Sequence, residues 1–464
     1  MPGAFLFHLG LPQIPTAAKM PAVTRLFGTD GVRGVANRDL TPELVFSLGR
    51  ALVAALGGRG RPRIAIGRDT RVSGPMLQAA LSAGICSAGA DVLRLGVIPT
   101  PAVAFLTPLL EAEAGAVISA SHNPPEDNGI KFFSADGFKL PDEVEDRVEG
   151  LMRDDSAPRA LGEDVGRVSD APEAVERYLD HLVSSAEARL DGMRVVVDCA
   201  NGAAFRLGPR VLELLGADVE PMHAEGDGAA INVGSGATAP ELLGRAVEEM
   251  EADAGVAFDG DADRAMFADA EGNVIDGDHV LAACALAMHE RGQLPEETVV
   301  VTVMANLGLR RAMAAAGITV IETQVGDRYV LEEMRRRGAT LGGEQSGHVI
   351  FLEQATTGDG LLTAVRFLSL ARRKGASLKE LTSVLRRYPQ VLENVPATDP
   401  RAAAAGPALS DAVRRAEQEL EGRGRVLVRA SGTEPLVRIM VEAETEEEAR
   451  RHADALSEVA RSAS

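Results

Sequence analysis

Three aspartates stand at alternate positions in the segment FDGDADR. Asp259, Asp261 and Asp263 follow a predicted strand, so an irregular loop can turn all three carboxylates toward one point. Such hard oxygen ligands suit Mg²⁺, which leaves further coordination positions for water or a substrate phosphate. A solvated acidic loop shows the same spacing. A calcium-binding loop does not fit, because Arg264 stands where an EF-hand needs glycine and Ala270 where it needs the closing glutamate.

A second segment, ISASHNPPEDNGIKFF, ends a predicted strand and is rich in turn-forming residues. It offers the hydroxyl groups of Ser119 and Ser121 together with His122 and Lys131. A serine on a strand-terminal turn can be a nucleophile or a phosphoryl carrier, although most loop serines only form turns. The acidic segment favours phosphoryl chemistry, because phosphoryl transfer depends mainly on neutralising charge at the phosphate oxygens.

The third segment, GGEQSGHVIF, places Glu344, Ser346 and His348 at alternate positions. In an extended segment, these three side chains share one face. Carboxylate and hydroxyl groups in that arrangement suit a hydroxyl-rich ligand such as a sugar, and histidine titrates near neutral pH. A structural histidine beside a glycine turn explains the motif equally well.

A fourth segment near the C-terminus, VRASGTEPLVR, sets Arg429, Ser431, Gly432 and Thr433 in a predicted turn. Converging backbone N–H groups, hydroxyls and a guanidinium bind anions. This turn therefore predicts a phosphate site separate from the acidic segment.

Two further basic loops, TDGVRG and GRDTRVSG, contain Arg33, Arg68 and Arg71. They could add positive charge to a site for an anionic substrate, although surface arginines are usually solvated. The sequence has no GxxxxGK[ST] motif, and its GSGATA segment has no predicted strand before it. We therefore predict no nucleotide cofactor.

The elements that position these segments repeat three times along the chain. Each copy consists of an apolar β-branched strand, an alanine- and leucine-rich helix, a glycine and a second strand. Strands without alternation are buried on both faces, and helix-length spacers connect parallel neighbours. Gly89, Gly216 and Gly317 stand where the helix must end in a left-handed residue. The copies begin at RIAIGRD, RVVVDCANG and VVVTVMAN.

The chain has 464 residues, too many for one core, and its last part breaks the repeat. That part predicts a strand, a loop, a strand and a charged helix. The predicted fold class is α/β, with three related mixed-sheet α/β domains plus a smaller C-terminal α+β domain. We expect a disordered leader at residues 1–24, followed by domains at 25–156 with the serine loop, 157–272 with the metal loop, 273–385 with the sugar-binding loop, and 386–464 for phosphate binding.

The composition limits the partners of the protein. A formal net charge of −20 disfavours binding to nucleic acid or to an anionic membrane. Cys86, Cys199 and Cys284 lie far apart, which argues against a disulfide framework and against a zinc site. We therefore predict a cytoplasmic protein with reduced cysteines and with no nucleic-acid or membrane partner. The sequence leaves a monomer and a homodimer open.

The motifs LFGTDGVRG, SASHNPPEDNGIKFF, DGDADR, GEQSGH and RASGTEP occur in this order, and together they resemble the α-D-phosphohexomutase superfamily. The match extends from Leu26 nearly to the C-terminus. The resemblance implies four domains around a central cleft, a phosphosugar substrate, one Mg²⁺ ion per chain and a required phosphorylated serine. FGTDGVRG and Gln345 look like the branch that interconverts glucosamine 6-phosphate and glucosamine 1-phosphate through a bisphosphate.

Motif matching also implies a role for each candidate residue. Ser121, and not Ser119, is similar to the phosphoserine, whose phosphate is a further metal ligand. The other matches are the metal ligands Asp259, Asp261 and Asp263, the proton-transfer residues Lys131 and His348, the phosphoryl-contacting Arg33 and Arg264, the sugar contacts Glu344 and Ser346, and the distal phosphate loop with Arg429, Ser431, Gly432 and Thr433.

Three other functions stay open at this point. A phosphomannomutase or phosphoglucomutase would use the same chemistry on a different sugar. A metal-dependent sugar-phosphate phosphatase would use the acidic segment without needing the RASGTEP loop. A non-catalytic sugar-phosphate sensor would bind its ligand without a phosphorylated serine.

Overall fold

A computed structural model describes residues 25–28, 30–57, 60–431 and 435–462 of the chain. The strands in these ranges form four sheets of six, five, four and three strands. The leader predicted at residues 1–24 lies outside the described residues. Within the described ranges, no helix is long and apolar enough to cross a membrane. The predicted fold class, three α/β domains and a smaller α+β domain, is confirmed.

The first sheet has the strand order β1-β5-β4-β2-β3-β6. Its strands β4, β2, β3 and β6 run parallel to one another, whereas β5 runs antiparallel to both of its neighbours. The serine loop therefore joins β4 to β5 at the carboxyl end of a central strand. The elements are β1 (Val32–Val35), α1 (Pro42–Leu56), β2 (Arg63–Arg68), α2 (Gly74–Ser87), β3 (Asp91–Val97), α3 (Thr100–Leu109), β4 (Ala114–Ile118), β5 (Asp127–Ser134), α4 (Asp142–Arg153) and β6 (Val168–Asp170).

The second sheet has the order β11-β10-β9-β7-β8. Strand β9 is parallel to β7 and antiparallel to β10, so the acidic segment is the connection between β9 and β10. All five residues of β9 are buried, as expected for a strand covered on both faces. The elements are α5 (Glu173–Ser184), β7 (Arg194–Asp198), α6 (Leu207–Leu214), β8 (Asp218–Met222), α7 (Pro240–Glu249), β9 (Ala254–Phe258), β10 (Ala265–Asp269) and β11 (Val274–Ile275).

The third sheet has the order β13-β12-β14-β15, with β14 and β15 forming an antiparallel hairpin. The turn of this hairpin carries the GEQSGH motif. The elements are α8 (Gly277–Glu290), β12 (Thr298–Thr302), α9 (Leu307–Ala315), β13 (Thr319–Thr323), α10 (Asp327–Arg337), β14 (Leu341–Gly343), β15 (Val349–Phe351), α11 (Gly360–Lys374) and α12 (Leu378–Thr382).

The C-terminal domain is an antiparallel sheet of order β16-β18-β17 covered by helices. It has its own apolar core, whereas one continuous core extends through the three preceding domains. The fully buried Glu442 joins it to the third domain by accepting hydrogen bonds from Asn306 Nδ2 (3.2 Å) and the Leu307 N–H (3.1 Å). Within the C-terminal domain, Glu442 also accepts from Arg425 Nε (2.6 Å). The elements are β16 (Gln390–Pro396), α13 (Pro400–Ala404), α14 (Pro407–Leu420), β17 (Arg425–Ala430), β18 (Leu436–Glu442) and α15 (Glu446–Ser462).

The predicted repeat is present in the first three sheets. The paired strands β2 and β3, β7 and β8, and β12 and β13 are each parallel. Gly89, Gly216 and Gly317 have φ values of +91°, +95° and +75°, so each helix does end in a left-handed glycine. The domain boundaries stay predictions, and β6 joins the first sheet although it follows the predicted boundary at residue 156.

Candidate active site

The serine loop and the acidic segment meet where the first and second domains pack together. Ser121 Oγ donates a hydrogen bond to Asp259 Oδ2 at 2.6 Å, and its oxygen lies 3.2 Å from His122 Nδ1. Ser121 has a φ of +52°, a left-handed conformation that non-glycine residues rarely adopt. Such strain persists only where the surroundings enforce it, and it is concentrated at functional sites.

Four hydrogen bonds from one arginine hold the serine loop in place. Arg71 is fully buried and pairs with Asp69 through a 2.9 Å contact between Nε and Oδ2. Its two terminal nitrogens donate to the carbonyl oxygens of Ser121 (2.9 Å), Asn123 (2.8 Å) and Asp127 (2.9 Å), and also to that of Pro124. Arg71 therefore does not face an anionic substrate, as its sequence context suggested, but satisfies the carbonyl groups of the loop.

Replacing Arg71 by methionine is expected to destabilise the protein by about 3 kcal/mol, because it leaves the Asp69 carboxylate buried without its cation. The free energy of unfolding in urea measures this loss. Arg245→Met, at an exposed position on α7, is the matched control and should unfold like the wild type. Equal stability of the Arg71 and Arg245 variants would contradict the anchoring role.

Ser119 also supports the loop. Its hydroxyl donates to Asp69 Oδ2 at 2.6 Å and accepts a hydrogen bond from the Ser121 N–H at 3.0 Å. From the second domain, Asn232 Nδ2 donates to the Ser121 carbonyl oxygen at 2.8 Å. The backbone of Ser121 is thus fixed from two domains, while its hydroxyl points to the acidic segment.

The three aspartates of the acidic segment form a cluster that suits a divalent cation. Asp259, Asp261 and Asp263 each offer a carboxylate oxygen, and these atoms all lie within 4.8 Å of one another. Asp261 Oδ1 and Asp263 Oδ1 are buried and have no hydrogen-bond partner among the described residues. Burial, followed by the charges of Asp263 and Asp261, raises the pKa of Asp259 well above its usual value. The donor set therefore fits a hard cation such as Mg²⁺.

Lys131 provides positive charge inside this cluster. Its Nζ lies 2.9 Å from Asp30 Oδ2, 3.1 Å from Asp261 Oδ2 and 3.7 Å from Asp263 Oδ2. Burial alone would lower the pKa of the ammonium, but the charges of Asp261 and Asp30 outweigh it and raise this pKa. Lys131 consequently keeps its proton at neutral pH.

A cleft of about 450 Å³ opens beside the serine loop. Of the residues predicted from the sequence, Ser121, Arg33, Arg264, Glu344 and His348 line it together with Asp263. Arg33 donates to the Ala120 carbonyl oxygen and to Asn123 Oδ1, both at 3.3 Å. The lining therefore joins a serine hydroxyl, three guanidinium groups and several carboxylates.

The GEQSGH motif is not the extended segment that its alternating polar residues suggested. The chain turns between β14 and β15, where Gly347 adopts a φ of +91° and its N–H donates to the Glu344 carbonyl oxygen at 3.1 Å. Glu344 and His348 still meet in the cleft, because they stand at the two ends of the turn. Within the described part of the chain, Ser346 is not among the residues that line the cleft, and its buried hydroxyl has no hydrogen-bond partner there.

His348 is fully buried between two carboxylates. Its Nδ1 lies 3.7 Å from Asp263 Oδ1, and its Nε2 lies 3.8 Å from Asp327 Oδ2. Burial lowers the pKa of the imidazole, but the interactions with Asp263 outweigh burial and raise it. The Gly358 N–H donates to Nε2 at 3.1 Å, which favours a tautomer with its proton on Nδ1.

Sequence reasoning missed a charged bridge across the cleft. Lys139 Nζ lies 2.9 Å from Asp30 Oδ1 and 2.6 Å from Asp327 Oδ2, so it links the first domain to the third. Both aspartates line the cleft, and so does His122. Burial, together with the charges of Arg264 and Arg33, lowers the pKa of His122 to about 4. Asp30 and Asp327 stand inside the motifs TDGVRG and VGDRYV, but only the fold brings them together.

The C-terminal anion loop is described only in part. Gly432 and Thr433 lie outside the described residues. Arg429 and Ser431 are not among the residues that line the cleft, whose described lining comes from the first three domains. Arg429 stands opposite Arg438 in the register of β17 and β18. Burial, together with the charge of Arg438, lowers the pKa of Arg429.

Comparison with known proteins gives a consistent result over the whole chain. Family models described as phosphoglucomutase/phosphomannomutase match as alpha/beta/alpha domain I at residues 24–159, domain II at 176–272, domain III at 276–388 and the C-terminal domain at 392–459. A phosphoglucosamine mutase from Frankia alni is 56% identical over 450 residues, which cover 95% of this chain and 99% of the relative.

Two solved structures show the same architecture. A phosphoglucomutase/phosphomannomutase family protein from Burkholderia thailandensis has a TM-score of 0.80 at 25% identity, covering 95% of this chain and 98% of its own. An N-acetylphosphoglucosamine mutase from Aspergillus fumigatus, solved with GlcNAc-6P and magnesium, has a TM-score of 0.69 at 18% identity, covering 96% of this chain and 97% of its own.

Proposed function

Because the chain belongs to the phosphoglucosamine mutases of the phosphoglucomutase/phosphomannomutase family, we propose that it works through a phosphoryl group carried on Ser121. Its reaction interconverts glucosamine 6-phosphate and glucosamine 1-phosphate. The observation that carries the assignment of Ser121 is the 2.6 Å hydrogen bond between its hydroxyl and Asp259, at the wall of the cleft.

The phosphoryl group passes from Ser121 Oγ to the free hydroxyl of the substrate. The bond between phosphorus and Ser121 Oγ breaks, and a bond between phosphorus and the sugar oxygen forms. The sugar hydroxyl loses a proton and Ser121 Oγ gains one, and we assign these two proton transfers to His348 and Lys131. The resulting bisphosphate turns over in the cleft and returns its other phosphoryl group to Ser121 by the reverse steps, so no phosphate is released.

Asp259, Asp261 and Asp263 would hold the Mg²⁺ ion, together with an oxygen of the phosphorylated Ser121. When bound, Mg²⁺ neutralises negative charge on the phosphoryl oxygens. The unpartnered buried oxygens of Asp261 and Asp263 support this assignment. Arg33 and Arg264 contribute further positive charge from the walls of the cleft.

The rest of the substrate is held away from the reacting oxygen. Glu344, at the cleft wall, suits the sugar hydroxyls, and Ser346 would join it once the turn adjusts to a ligand. Arg429, Ser431, Gly432 and Thr433 would bind the phosphate that does not react. The C-terminal domain then has to approach the cleft, which would also exclude water that competes for the phosphoryl group. Three free, buried cysteines support a reducing, cytoplasmic setting.

A substrate panel tests this function. With Mg²⁺ and a bisphosphate primer, turnover of glucosamine 6-phosphate should exceed that of mannose 6-phosphate and glucose 6-phosphate by at least about tenfold. The measured quantity is kcat/KM for formation of each 1-phosphate. A preference for mannose or glucose 6-phosphate would reassign the sugar, and stoichiometric release of inorganic phosphate would point to a phosphatase instead.

A further inference from the structure

A buried threonine of the first domain contacts the acidic segment of the second domain. Thr100 is the first residue of α3 and is 2% exposed. Its hydroxyl donates to Asp261 Oδ2 at 2.6 Å, and its N–H donates to the Asp261 carbonyl oxygen at 3.0 Å. Both the side chain and the backbone of Asp261 are therefore fixed by a residue that lies outside its own domain.

The two carboxylate oxygens of Asp261 differ in their hydrogen bonding. Oδ2 accepts from the Thr100 hydroxyl and from Lys131 Nζ, at 2.6 Å and 3.1 Å. Oδ1 accepts no hydrogen bond from any residue that the structure describes, and it belongs to a carboxylate that is only 1% exposed. An unsatisfied buried carboxylate oxygen is costly, so its persistence indicates a partner that binds at that position.

We propose that Thr100 is a positioning residue for the divalent cation site. By holding Oδ2, it fixes the rotation of the carboxylate and leaves Oδ1 as the oxygen that a cation would bind. The N-terminus of α3 also stabilises the negative charge of the aspartate that it contacts. Hydrogen-bonding partners of ligand residues commonly contribute this kind of orientation to a metal site. The inference rests on the proposed cation site.

A further consequence is that the cation site depends on the packing of two domains. The ligands belong to the connection between β9 and β10, but the group that orients one of them belongs to α3. The acidic segment by itself thus does not define the site. Sequence reasoning gave Thr100 no role, because it is separated from Asp261 by 161 positions.

The test measures Mn²⁺ binding by the full chain, with electron paramagnetic resonance of free Mn²⁺ as the readout. Mn²⁺ is the probe because it accepts the same oxygen ligands as Mg²⁺. Thr100→Val keeps the shape of the side chain and removes its hydroxyl, and it should weaken binding about tenfold or more. Thr100→Ser keeps the hydroxyl and should bind Mn²⁺ nearly as tightly as the wild type.

The same helix offers a matched control. Thr107 is also fully buried in α3, but its hydroxyl donates to the Val103 carbonyl oxygen at 2.7 Å, away from the acidic segment. Thr107→Val should therefore leave Mn²⁺ affinity unchanged. Wild-type affinity in Thr100→Val would overturn the inference, as would equal losses in Thr100→Val and Thr100→Ser or in Thr100→Val and Thr107→Val.

The variant Asp261→Asn shows whether a negative result concerns only the role of Thr100 or the proposed cation site itself. If Asp261→Asn weakens binding and Thr100→Val does not, the aspartates bind the cation and only the role of Thr100 is wrong. If the wild type and Asp261→Asn bind Mn²⁺ equally, the aspartates are not the cation site, and both proposals are wrong.

Discussion

Replacing Ser121 by alanine is expected to lower mutase turnover by on the order of 10⁴-fold, because it removes the atom that carries the phosphoryl group. The backbone of the loop should not change, since its contacts with Arg71 and Asn232 involve the Ser121 carbonyl oxygen and not the hydroxyl. The measurements are kcat for glucosamine 6-phosphate and the intact mass of the purified protein, which should lose its phosphoryl adduct.

Ser119→Ala is the matched control for this experiment. The Ser119 hydroxyl lies two residues away in the same loop and contacts Asp69 and the Ser121 N–H. Its loss should reduce turnover through poorer positioning of Ser121, yet the phosphoryl adduct should persist. Full turnover in Ser121→Ala, or an adduct that survives in that variant, would remove Ser121 from the mechanism.

Replacing Asp261 by asparagine should lower turnover by on the order of 10²-fold, because the variant keeps the size of the side chain but removes one negative charge from the cation site. Its Mg²⁺ requirement should shift to higher concentration. The measurement is kcat as a function of Mg²⁺ concentration, after chelation has removed bound metal.

Asp269→Asn is the control for the charge change itself. Asp269 is also buried in the second domain, at the end of β10, where its carboxylate accepts hydrogen bonds from the N–H groups of Glu271 and Asn273. This variant should keep the wild-type Mg²⁺ dependence. If Asp261→Asn and Asp269→Asn respond alike to Mg²⁺, the acidic segment does not bind the catalytic metal.

Local sequence signals predicted much of the fold. Buried β-branched strands separated by helix-length spacers indicated parallel pairs, and these pairs are present in each of the first three sheets. Gly89 and its two counterparts were identifiable because a left-handed residue favours glycine at the end of a helix. The close spacing of the three aspartates also indicated a common target, since a short loop brings such side chains together.

Signals that depend on the fold were missed or misinterpreted. Glu344, Ser346 and His348 alternate as in a strand, but Gly347 adopts a left-handed conformation and the segment forms a turn instead. Arg71 resembled a solvated arginine, and only the packed loop shows that its partners are carbonyl groups. Lys139 connects residues 109 and 188 positions away, a distance over which sequence spacing gives no guidance.

The ammonium group of Lys131 can stabilise the three aspartates of the acidic segment without a bound cation. Three buried carboxylates in contact would repel one another strongly, and in many small metal-binding domains the ion itself relieves that repulsion and holds the chain together. Here the chain supplies an internal counter-ion from β5, bound to Asp261 and Asp30. We therefore expect the fold to persist whether or not a cation occupies the three aspartates.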